Sequence, residues 1–419
     1  MTQNTSKISS KLSKHKTLIQ SFSYLSLLQL INMALPLITF PYLIRVLGKD
    51  TYGLVVFAQA VCGYLVILVG FGFSITGTQE VSVHRENKDK LSEIISSIFI
   101  IKGVLLLIAF LILAVLLYFI PQAKGYKCLF FLSMWYCLYD VIFPGWYFQG
   151  IERMKYITVI ILIMRTTFLV LIFIFIKVPS DFLLVPIMYG IGALTAGISA
   201  LFIIFSVHKI KFVWPNSKVL NYYFKSSVPI FISNISNSLY ASTNKVLIGT
   251  FLGMEDVAYY DLAEKLTNVL KIPQGILSQS LFPKISKDKD LVFVKKMFKY
   301  SLILNIGILV FFVLFSTKII VILGGPQMLP ALTVVIISSL TVPVMSMSNI
   351  WGIQMLIPFG YIKRYTRIIL LSGLIYLLQL FVLWFTFKFS IIGITIVTLN
   401  TEIFVSLISC YYCKKNKLW

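Results

Sequence analysis

Nine ionisable side chains lie inside long apolar runs of this 419-residue chain, where a central charge costs about 2.5–3.5 kcal/mol on insertion scales. They are Lys102, Asp140, Arg165, Lys245, Asp261, Glu264, Lys265, Lys271 and Glu402. Because such groups need a partner or a wet cavity, they are candidates for binding a charged substrate. Five cations against four acids favour an anionic substrate, and Asp140, Asp261, Glu264 and Glu402 are candidates for ion coupling.

The same residues also have a purely structural interpretation. Asp140 could pair with Arg165 or Lys102, and Glu264 could pair with Lys245. Such ion pairs would explain about half of the buried charges without any ligand. They would leave the surplus of cations unexplained, together with Arg45 at the mouth of the first apolar run.

Two polar stripes accompany the charges. Asn234, Asn237 and Asn244 have i, i+3 and i+10 spacing, which keeps them on one side of a helix. Gln29 and Asn32 form a similar stripe in the first apolar run. Although amides also bond neighbouring membrane helices, two matching stripes favour paired walls of a substrate path.

The elements that must position these groups are transmembrane helices. Hydrophobic residues make up 58% of the chain and charged residues 12%, against roughly 25% charged residues in soluble domains. A spanning helix needs about 20 apolar residues, so the length allows about a dozen. The predicted spans are Leu18–Val46, Tyr52–Ile75, Ile94–Phe119, Cys128–Phe148, Ile157–Ile176, Phe182–Val207, Val228–Leu252, Val257–Leu281, Met297–Leu323, Leu329–Ile357, Tyr365–Thr386 and Ile391–Tyr412.

Lysine and arginine outside the buried positions are distributed asymmetrically. The two termini and alternate loops hold 25 of them, whereas the opposite side holds seven. These seven are Arg45, Lys49, Lys124, Lys127, Lys177, Lys318 and Lys388. By the positive-inside rule, both termini are predicted to be cytoplasmic, which requires an even number of spans. The net charge of +22 is therefore interpreted as topological and not as a nucleic-acid footprint.

An internal repeat divides the chain in two. A shift of 205 residues aligns Leu47-Gly48 with Leu252-Gly253 and also aligns polar positions of the first and seventh spans, without a gap. An offset of six helices gives a parallel repeat with a pseudo-two-fold axis along the membrane normal. We expect an all-α fold with an N-terminal lobe (1–207), a basic cytoplasmic linker (208–227) and a C-terminal lobe (228–419).

Other chemistry finds little support in the sequence. The histidines, His15, His84 and His208, all fall outside the spans, and the CxxC of Cys410 and Cys413 has no second pair, so we expect no metal and no cofactor. The DKD at 288–290 lies in a short lysine-rich loop, and no P-loop is present. External loops are too short for a polysaccharide polymerase of the usual kind.

The run from Pro41 to Ile94 resembles the start of the Wzx polysaccharide-export flippases, within the multidrug, oligosaccharidyl-lipid and polysaccharide exporter superfamily. The features that match are LIRVLG, the stretch from YG to FAQA, the FGF turn and the basic REN loop. The hydropathy profile resembles the family over the whole chain. This sequence has Gln79 where many relatives carry a basic residue.

The resemblance implies an undecaprenyl-diphosphate-linked O-antigen or capsular repeat unit as substrate, turned from the cytoplasmic to the periplasmic leaflet of the inner membrane. It implies two six-helix lobes around a cationic cavity that opens alternately to each side. Residues matching that cavity by region are Arg45, Lys102, Arg165, Lys245 and Lys271. Expected partners are this lipid-linked oligosaccharide, membrane lipid, and the polymerase and chain-length regulator of the same pathway, with no nucleic acid.

Two alternatives stay open at this point. An ion-coupled multidrug exporter of the same superfamily would need an acid-dominated cavity. A membrane polysaccharide polymerase or other glycosyl-transferring enzyme would need catalytic acids and a long external loop. The excess of lysine and arginine favours a flippase, which is not an enzyme, over both.

Overall fold

The computed structural model describes the backbone of residues 2–386 and 389–419, and the side chains of residue 31 and of 35–235, 243–386 and 389–419. Within these ranges the chain is helical and has no strand, which confirms the predicted all-α class. The helices are α1 (Thr2–Gly70), α2 (Phe73–Val83), α3 (Lys88–Phe119), α4 (Lys127–Ser133), α5 (Trp135–Ile142), α6 (Gly145–Gly150), α7 (Met154–Phe175), α8 (Leu184–Phe202), α9 (Ser217–Phe251), α10 (Met254–Leu270), α11 (Ile272–Asp288), α12 (Leu291–Gly324), α13 (Leu332–Ser339), α14 (Thr341–Ser348), α15 (Ile362–Phe385) and α16 (Ile391–Lys415).

Nine stretches of the described residues are long and apolar enough to cross a membrane. One of them, Leu35–Val83, contains the end of the first predicted span and the whole of the second, and the part of it that belongs to α1 is kinked at Gly48. The predicted seventh and eighth spans correspond to α9 and to α10 with α11, which are not among these nine stretches. Each of the twelve predicted spans therefore has a helical counterpart.

Several predicted spans are broken into shorter helices. The fourth consists of α4, α5 and α6, with Pro144 at the start of α6, and the eighth is broken at Lys271, just before Pro273. Proline has no N–H to continue the helical hydrogen-bond ladder, which explains both positions. Broken helices at membrane depth occur where they line a cavity or are covered by protein.

The repeat-related Leu-Gly pairs both stand at corners of the chain. Gly48 interrupts α1 with φ 76° and ψ 165°, a backbone conformation that residues other than glycine rarely adopt. Gly253 separates α9 from α10 as the residue preceding the first turn of α10. A Leu-Gly dipeptide thus stands at the end of a helical segment at both places.

The chain forms two compact units. The first comprises Met1–Tyr42 and Val61–Ile235, and the second comprises Leu43–Ala60 and Ser236–Trp419. Helices α1 and α9 thus contribute to both units. The lobe limits expected from the repeat, 1–207 and 228–419, stay a prediction.

In the first unit, α5 packs closely on a small-residue face of α8. A Cβ added to Gly190 would come within 2.5 Å of the Trp135 ring, and one on Gly197 within 2.4 Å of Ile142. Small residues let membrane helices approach closely, where van der Waals contact replaces the missing hydrophobic driving force. This contact fixes α5 and α8 as one rigid wall.

In the second unit, the residues after the Gly48 kink pack on the start of α10. A Cβ on Gly53 would lie 1.8 Å from the Met254 carbonyl oxygen. Nearby, the Phe57 ring fills the space in front of Gly249. The first turns after the two Leu-Gly corners are therefore in direct contact.

Gly53→Ala should destabilise the protein, because the added methyl group meets a backbone carbonyl that cannot move independently. Overpacking of this kind costs about 1–3 kcal/mol. Gly307→Ala is the matched control, since an added Cβ there meets nothing within 4 Å. Thermal unfolding in detergent should show a lower Tm for Gly53→Ala alone, and equal Tm values for both variants would contradict the packing.

Candidate functional site

A network of charges lies inside the second unit. The Lys245 ammonium is 2.9 Å from Asp261 Oδ1 and 2.5 Å from Glu264 Oε2. The Asp261 side chain is 3% exposed, whereas that of Glu264 is 29% exposed. Lys245 and Asp261 thus neutralise each other in the interior, and Glu264 closes the network towards a cavity that it also lines.

Asp261 binds two further donors besides Lys245. Lys265, one turn along α10, also forms an ion pair with Asp261. The Tyr52 hydroxyl, from α1, donates to Asp261 Oδ2 at 2.7 Å and accepts from the Lys265 ammonium at 2.9 Å. A buried carboxylate is stable only when paired and hydrogen-bonded, and Asp261 meets both conditions.

Asn244 is the centre of a neutral hydrogen-bond network on α9. Its Nδ2 donates to the Tyr260 hydroxyl at 2.6 Å and to Thr398 Oγ1 at 2.9 Å, and its Oδ1 accepts from the Tyr376 hydroxyl at 2.6 Å. Asn244 is 1% exposed. It therefore connects α9 with α10, α15 and α16.

A cavity of about 250 Å³ lies next to both networks. Its lining consists of Asn244, Tyr260, Glu264, Thr267, Asn268, Lys271, Ser338, Thr341, Met345, Thr395, Thr398 and Glu402. Lys271 and Glu402 both line it, and neither forms an ion pair within 4 Å with any residue whose side chain the structure describes. Lys271 stands at the break between α10 and α11.

In the first unit, Lys102 pairs with Asp140. Lys102 is 3% exposed. Its ammonium is 2.7 Å from Asp140 Oδ2 and 2.8 Å from the Asp140 carbonyl oxygen. Of the two pairings considered for Asp140, the structure thus has the one with Lys102. Arg165, on α7, forms no ion pair within the described ranges, and its buried Nε has no hydrogen-bond acceptor there.

The remaining predicted residues lie away from the cavity or outside the described side chains. Arg45 donates from its guanidinium to the Ile322 carbonyl oxygen at 2.5 Å in the second unit. Asn234 is half-buried on the part of α9 that belongs to the first unit. The side chains of Gln29, Asn32 and Asn237 fall outside the described residues.

The pairing accounts for most of the buried charges. Lys102 pairs with Asp140, and Lys245 and Lys265 form one network with Asp261 and Glu264. Three of the nine ionisable groups are then left without an ion pair in the described part of the chain. Those three are Arg165, Lys271 and Glu402. Lys271 and Glu402 carry opposite charges and line one cavity. Of these three groups, Arg165 is therefore the cation without an acid nearby, and it corresponds to the surplus predicted from the sequence.

Apart from Asn244, sequence reasoning missed the uncharged members of the site. Thr398 could have been found, because it lies one turn before Glu402 on α16 and so shares its face. Tyr52, Tyr260 and Tyr376 carried no such signal, since their hydroxyls reach partners on other helices. Among the residues described, no three side chains of His, Cys, Asp or Glu come together as metal ligands.

Comparison with known proteins gives consistent matches along the chain. The family described as "Polysaccharide biosynthesis protein" matches residues 18–288. A curated protein of Escherichia coli (strain K12) named "Putative O-antigen transporter" is 29% identical over 406 residues, which cover 94% of this chain and 96% of that protein. A Shigella dysenteriae protein of the same name is 27% identical over 394 residues, covering 90% and 95%.

Solved structures are similar in fold. An inward-facing multidrug resistance MATE family transporter of the MOP superfamily has a TM-score of 0.72 at 13% identity, covering 94% of this chain and 98% of that one. The lipid II flippase MurJ in an inward closed conformation has a TM-score of 0.72 at 15% identity, covering 93% and 87%. At sequence identities of 13% and 15%, these two matches show a similar fold and nothing further.

Asp261→Asn should strongly destabilise the protein, because it leaves Lys245 and Lys265 with too little negative charge. Breaking a buried ion pair costs about 3–5 kcal/mol. Adding Lys265→Met should recover part of the loss, since it removes one uncompensated cation. Yield of folded protein and Tm in detergent measure the effect.

Glu255→Gln is the matched control for Asp261→Asn. Glu255 pairs with Lys49 at 2.6 Å, but the two side chains are 42% and 31% exposed, so the solvent screens the pair. We expect almost no change in Tm. If Asp261→Asn behaved like Glu255→Gln, the buried network would not contribute to stability.

Proposed function

The chain belongs to the polysaccharide biosynthesis protein family, as a Wzx-type flippase of the MOP superfamily, and on that premise we propose that it moves undecaprenyl-diphosphate-linked O-antigen or capsular repeat units from the cytoplasmic to the periplasmic leaflet by alternating access. In this proposal it is a multi-pass protein of the bacterial inner membrane with both termini in the cytoplasm. The family is one of transporters, so no catalytic step on the saccharide is invoked.

The observation that carries the proposal is the Lys271 ammonium, which lines a cavity among predicted membrane spans and has no ion pair in the described ranges. Lys245, Lys265 and Lys102 are held by acids of the protein and are less available to a substrate. A diphosphate that entered this cavity would meet the Lys271 ammonium, which no carboxylate of the described side chains holds within 4 Å. Charge-assisted hydrogen bonds to such a group contribute about 1.5–3 kcal/mol each.

The break between α10 and α11 supports the same assignment. Transporters typically form substrate sites where a membrane helix is discontinuous, because unwound backbone and helix ends supply polar groups at depth. Lys271 stands at such a break, and Thr267 and Asn268 line the cavity one turn before it. The local chain thus offers a cation, a hydroxyl and an amide together.

The membrane potential makes outward movement of an anion favourable. With the cell interior negative, each elementary charge that crosses 100 mV gains about 2.3 kcal/mol. A diphosphate joined to a lipid at one end and to a sugar at the other keeps one strongly acidic hydroxyl on each phosphorus, so both phosphates are negatively charged at neutral pH. Cations in the path would lower the desolvation cost of the head group while its lipid tail stays in the bilayer.

Glu402 is the preferred acid for ion coupling. Asp140, Asp261 and Glu264 are each held by a lysine, so protonating any of them would break an ion pair. Glu402 lines the cavity without such a partner among the described side chains. It can exchange a proton or a sodium ion with less disturbance of the helices.

A drug exporter is the second candidate, and one observation favours it. The cavity is lined by two acids, Glu264 and Glu402, and one cation, Lys271. A lipophilic cation could bind there if Lys245 released Glu264. Resistance of expressing cells to ethidium, lost in Glu402→Gln, would support this candidate over the flippase.

Lys271→Gln should reduce surface polysaccharide at least tenfold in a deletion strain complemented at equal expression, because the head group loses a charge-assisted contact. Lys271→Arg keeps the charge and should retain most of the function. Lys363→Gln, an exposed lysine on a predicted cytoplasmic loop, is the control and should have no effect. Gel electrophoresis of extracted polysaccharide is the readout, and full function of Lys271→Gln would overturn the assignment.

Glu402→Gln should uncouple transport from an imposed pH or sodium gradient while leaving the protein folded. In proteoliposomes, the wild type should move lipid-linked saccharide faster with a gradient than without it, and the variant should move it equally in both. Glu86→Gln, exposed in the turn between α2 and α3, is the control. An unchanged response in Glu402→Gln would exclude Glu402 as the coupling acid.

A further inference from the structure

Several buried polar atoms of the second unit have no hydrogen-bond partner among the described residues, and four of them form a series that starts at the cavity of Glu402. They are Thr267 Oγ1, Asn349 Oδ1, Ser406 Oγ and Ser409 Oγ. Thr267 lines the cavity itself, and Ser406 and Ser409 are 3% and 0% exposed. Because buried polar groups are almost always hydrogen-bonded to protein or to ordered water, each of these atoms needs a partner.

The hydroxyls of Ser406 and Ser409 differ from those earlier on the same helix. Thr395, Thr398 and Thr401 of α16 each donate to the carbonyl oxygen four residues before, at 2.7, 3.1 and 2.8 Å. A serine inside a helix can make the same bond. Since Ser406 and Ser409 have no acceptor in the described part of the chain, their hydroxyls are available to a partner outside the helix.

Both serines lie on the face of α16 that continues from Glu402. Ser406 is at i+4 and Ser409 at i+7 from Glu402, so the three side chains share one side of the helix. Along α16 pack α14 and the π-helix Asn349–Leu356 that follows it. Asn349 is the first residue of this π-helix, an irregularity that is frequent at functional sites.

Two contacts show which face of α16 meets α14 and the π-helix. At one end, Met345 and Glu402 line the same cavity. At the other end, the Cys413 thiol donates to the Trp351 carbonyl oxygen at 3.3 Å. Because Cys413 is at i+11 from Glu402 and thus on the same side of α16, the two serines lie between these contacts. Asn349, one turn after Met345, is the corresponding polar residue on the facing element.

Asn349, Ser406 and Ser409, which we name the polar seam, therefore follow one line from the cavity towards the end of α16. A rise of 1.5 Å per residue places Ser409 about 10 Å beyond Glu402, which is the length of about four hydrogen-bonded waters. A buried water typically makes about three hydrogen bonds to polar groups that have no other partner. The polar seam offers such groups beside an apolar core that offers none.

We propose that the polar seam holds a file of ordered water that carries protons from Glu402 to the cytoplasmic end of α16. Glu402 takes a proton from the cavity, which forms an O–H bond at its carboxylate, and then releases the proton to the first water of the seam. The excess proton passes from water to water and leaves at the cytoplasmic side, so that the carboxylate is restored. This inference rests on the proposed role of Glu402 in ion coupling and assigns the coupling ion as a proton.

The surroundings of Glu402 favour a proton over a sodium ion on this route. The titratable groups Lys271, Glu264 and Tyr260 share its cavity, and Tyr365 of α15 lies within electrostatic range of it. Beyond Glu402, the polar seam consists of hydroxyls and one amide and has no carboxylate. A sodium ion would lose hydration there without gaining an opposite charge, which is costly inside a membrane, whereas a proton moves through the bonds of the water file.

Proton flux into proteoliposomes that contain a pH-sensitive dye tests the proposal. An imposed pH gradient drives the flux in the presence of lipid-linked saccharide. In the double variant Ser406→Ala and Ser409→Ala the flux should fall about tenfold, because the waters lose two hydrogen-bond partners. Asn349→Leu, which is similar in size but has no polar side-chain atom, should lower the flux in the same direction. Binding of the lipid-linked saccharide should stay as in the wild type in both variants.

The double variant Ser316→Ala and Ser372→Ala is the matched control. Both serines are buried, with 2% and 1% exposure, but their hydroxyls donate to the carbonyl oxygens of Val313 and Ile369 in their own helices, at 2.8 and 2.7 Å. The control should keep the proton flux of the wild type. Equal Tm values in detergent show that a variant is folded, and if one seam variant fails to fold, the other decides.

The outcomes distinguish this inference from the proposed function. Wild-type proton flux in a folded seam variant would overturn the polar seam as the route. Saccharide transfer by the wild type with a flux of sodium in place of protons would also overturn it, while leaving the flippase intact. If the folded wild type transferred no saccharide, the flippase proposal would fail, and the proton flux would still decide the polar seam.

Discussion

The cost of a charge inside a membrane governs the interior of this protein. Each buried ionisable group needs an opposite charge, a hydrogen-bond network or water. Asp261 satisfies this requirement with Lys245, Lys265 and the Tyr52 hydroxyl. Because that network draws on the segment after the Gly48 kink and on α9 and α10, it also fixes how these elements pack in the second unit.

The same rule separates structural charges from charges available for transport. An ion pair held by the protein contributes to the fold, and disturbing it costs stability. Arg165, Lys271 and Glu402 have no such partner among the described side chains, and two of them share one cavity. We therefore propose a role in transport for the groups without an ion pair and a role in stability for those that the protein neutralises.

Much of the fold could be predicted from the sequence, because apolar runs and basic loops report directly on the membrane. The ion pairs of Asp140 with Lys102 and of Glu264 with Lys245 were among the pairings considered. The breaks within the fourth span were not predicted, since hydropathy does not register a kink. Nor was Tyr52 at Asp261, because helix periodicity cannot tell which distant helices meet. The roles of the site residues in binding stay predictions.

The central claim is that the protein moves an anionic lipid-linked saccharide, and transfer between leaflets in proteoliposomes tests it most directly. The measurement compares a fluorescent undecaprenyl-diphosphate saccharide with the same saccharide on a polyprenol without the diphosphate. We predict that the protein accelerates transfer of the first lipid only, and more so with a potential that drives anions across. Equal transfer of both lipids, or none by folded protein, would contradict the account.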